Sequence, residues 1–196
     1  MIDFLRTWLF PSACAACDAH GPALCAACAP ALRDAIDFKL DGVSAFALGR
    51  YDGALRRAIV AMKNGRRDPL ELFAELLAAR APLDGVLVPL PTSRGRVLDR
   101  GFDQSVELAR RLAARRGTAC CELLVKRGAP QERRSRRARL AASGRFRMRD
   151  GVALPPAVTL LDDVCTTGAT ARDAASALRG AGVQVRRIVF LARTER

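Results

Sequence analysis

Residues 160–170 read Leu160-Leu161-Asp162-Asp163-Val164-Cys165-Thr166-Thr167-Gly168-Ala169-Thr170, and this stretch decides the fold. Residues 158–161 form a short apolar run suited to a buried strand, and residues 169–179 a helix that Gly180 and Gly182 stop. A second apolar strand is expected over residues 185–192. Strand, helix and strand within about thirty-five residues make a βαβ unit. The expected fold class is therefore α/β, a parallel, doubly wound sheet flanked by helices.

In an open parallel sheet, ligands collect where strands end and helices begin, because free backbone N–H groups and the helix dipole favour an anion there. Leu161-Asp162-Asp163-Val164 is such a strand end. Beyond it, Thr166, Thr167, Gly168, Ala169 and Thr170 offer hydroxyls, successive N–H groups and a glycine that lets the chain turn tightly around a phosphate. Two adjacent carboxylates repel one another unless they hold a magnesium ion or hydroxyl groups. A ribose 5-phosphate group meets both requirements.

Working outward, residues 43–51 have strand-like apolar content, after a mixed segment that ends at Asp41. Leu55, Ile59 and Met62 recur at helical spacing over 52–63, and Asn64-Gly65 supplies a stop. Asp68 and Pro69 suit the start of a second helix, with Leu72, Leu76 and Leu77 on its buried face up to about Arg80. Residues 86–90 are a short apolar strand. Asp103 is expected to cap a helix with a basic face, carrying Arg110, Arg111, Arg115 and Arg116 and ending at Gly117. A brief strand fits residues 123–126. Residues 127–149 are too basic and too poor in apolar side chains for a core, and are expected to form a mobile loop or protruding hairpin.

The chain of 196 residues, half of them apolar, is long enough for one main core and a small appendage. No apolar run approaches the roughly 18 to 20 residues of a membrane span. The apolar start, residues 4–10, is short and carries Asp3 and Arg6, unlike a signal peptide, so a soluble, cytoplasmic protein is expected. A single histidine, His20, excludes a three-histidine zinc site and leaves Ser-His-Asp chemistry only if His20 itself serves. The net charge of +13 is concentrated between residues 94 and 149, with seventeen basic residues against five acidic ones. A polyanionic partner is one class this suggests. Coding from a GC-rich genome would explain why thirty of the thirty-three basic residues are Arg, but not their clustering.

Four of the seven cysteines form two Cys-x-x-Cys pairs, Cys14 with Cys17 and Cys25 with Cys28. Four soft ligands with no open position read as a structural zinc site, with iron as the second metal and redox-active thiols as the third reading. Phe4, Leu5, Trp8 and Leu9 are expected to form a short helix that packs this unit on the main domain, membrane attachment being the alternative. The expected organisation is a unit over 1–30 and a main domain over 43–196. Cys120 and Cys121 read as small buried hydrophobes. Cys165 sits beside a helix N-terminus, which lowers a thiol's pKa, and near Asp163, which raises it.

The stretch 160–170 closely resembles the phosphoribosyl pyrophosphate motif of type I phosphoribosyltransferases: apolar residues, two acids, then Thr-Thr-Gly-x-Thr. The resemblance implies that Asp162 and Asp163, as the catalytic-site acids, contact ribose hydroxyls. Thr166, Thr167, Gly168, Ala169 and Thr170 would then cradle the 5-phosphate. Over nearly the whole chain the order of segments is similar to the ComF family of competence-associated, phosphoribosyltransferase-like proteins. Its carriers are the four-cysteine start; Tyr51-Asp52-Gly53, Met62-Lys63 and Gly65; Val88-Pro89-Leu90-Pro91; Arg100-Gly101-Phe102-Asp103-Gln104; Gln131, Ser135, Arg139 and Phe146; and the Asp-Asp loop. The chain departs from the family pattern at Asp103, Arg134 and Ala142.

This resemblance implies a pyrophosphate-binding turn at Pro91, Thr92, Ser93 and Arg94, with Lys63 within reach of the same anion. It also implies a hood over the site from the 127–149 segment, where Arg133, Arg134, Arg137 or Arg139 would close on pyrophosphate. Cofactors would be magnesium with the phosphoribosyl pyrophosphate and zinc in the cysteine unit. Three readings of function remain: a phosphoribosyltransferase with an unidentified acceptor, a non-catalytic sensor of phosphoribosyl pyrophosphate, and an accessory of DNA uptake. In the last, Arg127, Arg133, Arg134, Arg136, Arg137 and Arg139 would bind single-stranded DNA beside other DNA-uptake proteins. That segment is poor in the aromatics on which single-strand binders stack bases, so binding would be led by the backbone.

Overall fold

The computed structural model describes residues 13–32, 34–93, 95, 97–98, 101–126 and 144–195. Its strands are β1 (Ile36–Leu40), β2 (Val43–Arg50), β3 (Val86–Pro89), β4 (Leu124–Lys126), β5 (Phe146–Met148), β6 (Ala157–Cys165) and β7 (Gln184–Arg193). Its α-helices are α1 (Gly53–Lys63), α2 (Asp68–Arg80), α3 (Gln104–Arg116) and α4 (Ala169–Gly180). The five-stranded main sheet has the order β1-β2-β7-β6-β3. Strands β2, β7, β6 and β3 run parallel, and β1 pairs antiparallel with β2 at one edge. The fold is thus α/β with a mostly parallel sheet, and α4 makes the crossover from β6 to β7.

Side-chain alternation along the strands divides the core in two. Leu87, Leu161, Val189 and Leu191 belong to one layer, with Leu55, Ile59 and Met62 of α1, Phe73 and Leu77 of α2, and Leu108 and Leu112 of α3. Val88, Leu160, Ile188 and Phe190 point the other way, onto Ala171, Ala174 and Leu178 of α4 and onto Leu124 and Phe146. Each large side chain buried in these layers stabilises the fold by about 1.5–3 kcal/mol. The cysteine unit joins the first layer through Cys14, Ala15, Ala16 and Cys28.

Helix ends follow the sequence signals with one exception. The Asp103 carboxylate accepts from the N–H groups of Ser105 and Val106, and Gly117 closes α3 in the left-handed region. At α2 the cap residue is Arg67, and Asp68 is the first helical residue, where its charge faces the positive end of the dipole.

The structure corrects several expectations. The mixed segment before Asp41 contains β1, whose Ile-Asp-Phe-Lys-Leu alternates in exposure and turns into β2 at Asp41-Gly42. Strand β6 runs past the apolar run 158–161 to Cys165, so the Asp162-Asp163 pair expected at the strand end lies within the strand. The 127–149 segment, expected to stay out of the core, contributes Phe146 to it: β5 pairs antiparallel with β4, compatible with the hairpin alternative, and that pairing presents Phe146 to α4. Residues 127–143, and with them Arg127, Arg133, Arg134, Arg136, Arg137 and Arg139, lie outside the described residues, as do Arg94 and residues 1–12. Cys120 and Cys121 are half-buried rather than core residues.

Candidate functional site

The parallel strands deliver the acid pair to the carboxyl edge of the sheet, and their alternation sends the two side chains apart. Asp163 shares the face of Leu161, toward α1, and its Oδ2 pairs with Lys63 Nζ at 2.7 Å. Asp162 shares the face of Leu160, toward the β4–β5 hairpin. Burial, then the neighbouring Asp163 charge, pushes its carboxyl up to about 7, against the lowering effect of Lys63 and Lys126. Each acid also accepts from the next backbone N–H: Asp162 Oδ1 from Asp163 at 2.9 Å, and Asp163 Oδ1 from Val164 at 2.7 Å. Lys63 is thus brought to the acid pair. Lys126 is a cation near the site that sequence analysis did not single out.

The loop 166–170 turns into α4 through Gly168 at φ 75°. The positive φ favours glycine, and a Cβ there would sit 2.5 Å from Leu40 Cδ1, so a side chain would also have to displace the leucine packed beneath it. Thr166 and Thr167 are exposed, and Ala169 and Thr170 are half-buried. The Arg172 guanidinium holds the loop from behind, donating to the Thr167 carbonyl at 2.8 Å and pairing with Asp41 at 2.8 Å. Arg145, just before β5, donates to Thr170 Oγ1 at 3.2 Å and pairs with Asp173 at 3.3 Å. Leu40, Asp41 and Arg145 were missed from sequence. The alternation of 36–40 followed by Asp-Gly, a hairpin signal, could have revealed the first two.

Across the site, Pro91, Thr92 and Ser93 follow β3 and are half-buried. The Thr92 N–H donates to Asp103 Oδ2 at 2.8 Å, so the carboxylate that caps α3 also fixes this turn. A cleft of about 360 Å³ separates Pro91 and Thr92 from Lys126, Arg147 and Arg149. Cys165 is buried at the end of β6, and burial raises its pKa, which disfavours the thiolate.

The basic face of α3 is largely neutralised. Arg111 and Arg115 pair with Glu71 of α2, Arg111 also with Glu107, and Arg110 with Glu122; Arg116 donates to the Ala78 carbonyl. On and beside β5, Arg147 pairs with Asp150 and Arg149 with Glu122. Much of the cationic excess of 94–149 that falls on described residues is therefore engaged within the fold.

The sulfurs of Cys14, Cys17, Cys25 and Cys28 lie within 4.8 Å of one another and could hold a metal ion. The Cys17–Cys25 separation of 3.7 Å matches the edge of about 3.8 Å in a tetrahedron with zinc–sulfur bonds of about 2.3 Å. Burial works to raise the Cys14 thiol, but the backbone N–H groups of Cys25, Ala16 and Cys17 outweigh it and bring it to about 6. Burial and the neighbouring sulfurs push Cys28 up to about 12.

No protein-family model matches the chain, and no curated protein matches it. Solved structures with a similar arrangement include the allosteric regulatory enzyme of purine biosynthesis, at 21% identity and a TM-score of 0.42 over 76% of this chain and 27% of that one. Glutamine phosphoribosylpyrophosphate amidotransferase from B. subtilis is similar at 21% identity and a TM-score of 0.45, over 61% of this chain and 25% of that one. Orotate phosphoribosyltransferase from Aeropyrum pernix is similar at 16% identity and a TM-score of 0.46, over 80% and 73% of the two chains. The chain spans about a quarter of the length of the first two.

Proposed function

We propose that this protein binds phosphoribosyl pyrophosphate at the carboxyl edge of the sheet. The observation that carries this is the succession, along one strand and turn, of the Asp162-Asp163 pair, the 166–170 loop and the start of α4, with Lys63 on Asp163. Asp162 and Asp163 supply the hard oxygen donors that suit ribose hydroxyls and a magnesium ion, whose role would be to offset pyrophosphate charge. Thr166, Thr167, Gly168, Ala169 and Thr170 take the 5-phosphate, where N–H groups and the helix dipole favour a dianion. Lys63 and the turn at Pro91, Thr92, Ser93 and Arg94 take the pyrophosphate. Four thiolates at tetrahedral spacing suit structural zinc in the cysteine unit. The chemistry this arrangement fits is displacement of pyrophosphate at the anomeric carbon by an acceptor nucleophile, in which Lys63 and the 91–94 turn stabilise the charge that develops on the departing pyrophosphate while the 166–170 loop holds the 5-phosphate in place.

Calorimetric titration of phosphoribosyl pyrophosphate with Mg²⁺ tests this. Wild type is expected to bind and Asp163→Asn to bind more weakly; a silent wild type would refute the proposal. Pyrophosphate release in the presence of bases and amines would mark an enzyme, and tight binding without release a sensor.

A second reading, single-strand binding in DNA uptake, is favoured by the clustering of Arg127, Arg133, Arg134, Arg136, Arg137 and Arg139 and by the ComF resemblance. It predicts affinity for an oligonucleotide that falls steeply with salt. Affinity that stays constant from low to physiological salt would rule it out.

A further inference from the structure

The four-cysteine unit and the acid pair are both contacted by one short segment, α1 and the turn that follows it. Helix α1 ends at Lys63, and the chain closes behind it: Gly65 N donates to the Met62 carbonyl and Arg66 N to that of Ala61, both at 3.1 Å. The Arg66 side chain then locks this turn from outside. Its guanidinium donates to both oxygens of Asp68 at the start of α2, at 3.1 and 2.7 Å, to Asp18 Oδ1 at 2.7 Å and to the Ala13 carbonyl at 2.8 Å. The last two acceptors belong to the cysteine unit. Earlier in α1, Arg57 Nε donates to the Ala16 carbonyl at 2.5 Å. Met62, between the two straps, is buried in the core that Cys14, Ala15 and Ala16 share.

A lysine side chain carries about 2 kcal/mol of rotamer entropy, so its hold on a carboxylate depends on where its backbone is kept. From these contacts we infer that Arg66 is a positioning residue for Lys63, and that through it the cysteine unit sets the affinity of the sugar-phosphate site. The inference rests on the binding function proposed above. Arg66 touches neither acid of the pair; it acts by fixing the end of α1 from which Lys63 reaches Asp163. A planar fork is needed, because one ammonium cannot serve both Asp68 oxygens together with Asp18 and the Ala13 carbonyl in their present directions.

The test is a double-mutant cycle on the full metal-loaded chain, with phosphoribosyl pyrophosphate and Mg²⁺ titrated calorimetrically and metal content and melting temperature measured on every variant. Arg66→Ala is expected to keep its metal and weaken binding about three- to tenfold, with Arg66→Lys recovering only part of the loss. Lys63→Ala is expected to weaken binding by itself, and adding Arg66→Ala to it should cost little more. Unchanged affinity in a folded Arg66→Ala would overturn the inference, and so would losses that simply add in the double variant. Failure of wild type to bind would instead bring down the site proposal, and this inference with it. If Arg66→Ala does not fold, Arg57→Ala offers the same cycle through the second strap, with the same expected and excluding results.

Discussion

Lys63 Nζ and Asp163 Oδ2, 2.7 Å apart, join the end of α1 to the end of β6. About a quarter of each side chain is exposed, so the pair is partly desolvated, and removing the cation leaves two successive acids of one strand without its compensating charge. Lys63→Met is expected to lower stability by about 1–2 kcal/mol at pH 8 and by less at pH 5, where protonation relieves the repulsion. Adding Asp163→Asn should recover most of the loss. Denaturant unfolding at the two pH values checks both expectations.

Asp162 makes the stability pH-dependent in a defined direction. Its carboxyl stands at about 7 in the folded chain against an ordinary 3.8. Below that ordinary value both states hold the proton and the group contributes no pH dependence. Between the two values the folded state keeps a proton that the unfolded state has lost, so stability falls as pH rises, and the full cost is present above about 7. Asp162→Asn should therefore gain on wild type progressively from pH 4 to 7, by at most about 4 kcal/mol. A difference between the two proteins that does not change over that range would disprove this.

Gly168 is expected to accept a side chain only at a cost. Its φ of 75° disfavours one, and an alanine Cβ would press on Leu40. Gly168→Ala should cost about 1–3 kcal/mol in chemical denaturation. Adding Leu40→Ala would relieve the clash but not the backbone strain, so rescue should be incomplete even after allowing for the loss of Leu40 packing.

Thr159 is fully buried in β6, and its hydroxyl donates to the Asp84 carbonyl at 2.8 Å while accepting from the Asp84 N–H at 2.9 Å. Thr159→Val keeps the shape and strands both backbone groups. A loss of about 1–3 kcal/mol is expected, measured by thermal and denaturant unfolding. A neutral outcome would mean that water replaces the hydroxyl.

The cysteine unit should hold one divalent ion. Loaded with Co²⁺, it is expected to show the absorption of a tetrahedral four-thiolate centre, and Cys14→Ser should weaken that spectrum and the folded state together. Octahedral Co²⁺ features would exclude the site.

Local signals carried much of this protein. Helical spacing placed α1 and α2, the Asp103 cap and Gly117 bounded α3, and apolar runs with glycine stops gave the βαβ unit of β6, α4 and β7, because each depends on neighbours within a few residues. The order of acids, hydroxyls and glycine in 162–170 was equally legible, and so was the four-cysteine cluster. Only the tertiary structure decided which charges meet. Strand alternation sent Asp163 to Lys63 and Asp162 to the hairpin face, and helix packing set Arg111 and Arg115 against Glu71 rather than free in solvent. It also placed Leu40 beneath Gly168 and clamped Arg66 between the cysteine unit and α2. The partners in these contacts come from different elements, and their distances are set by sheet register and core packing, which no local pattern encodes.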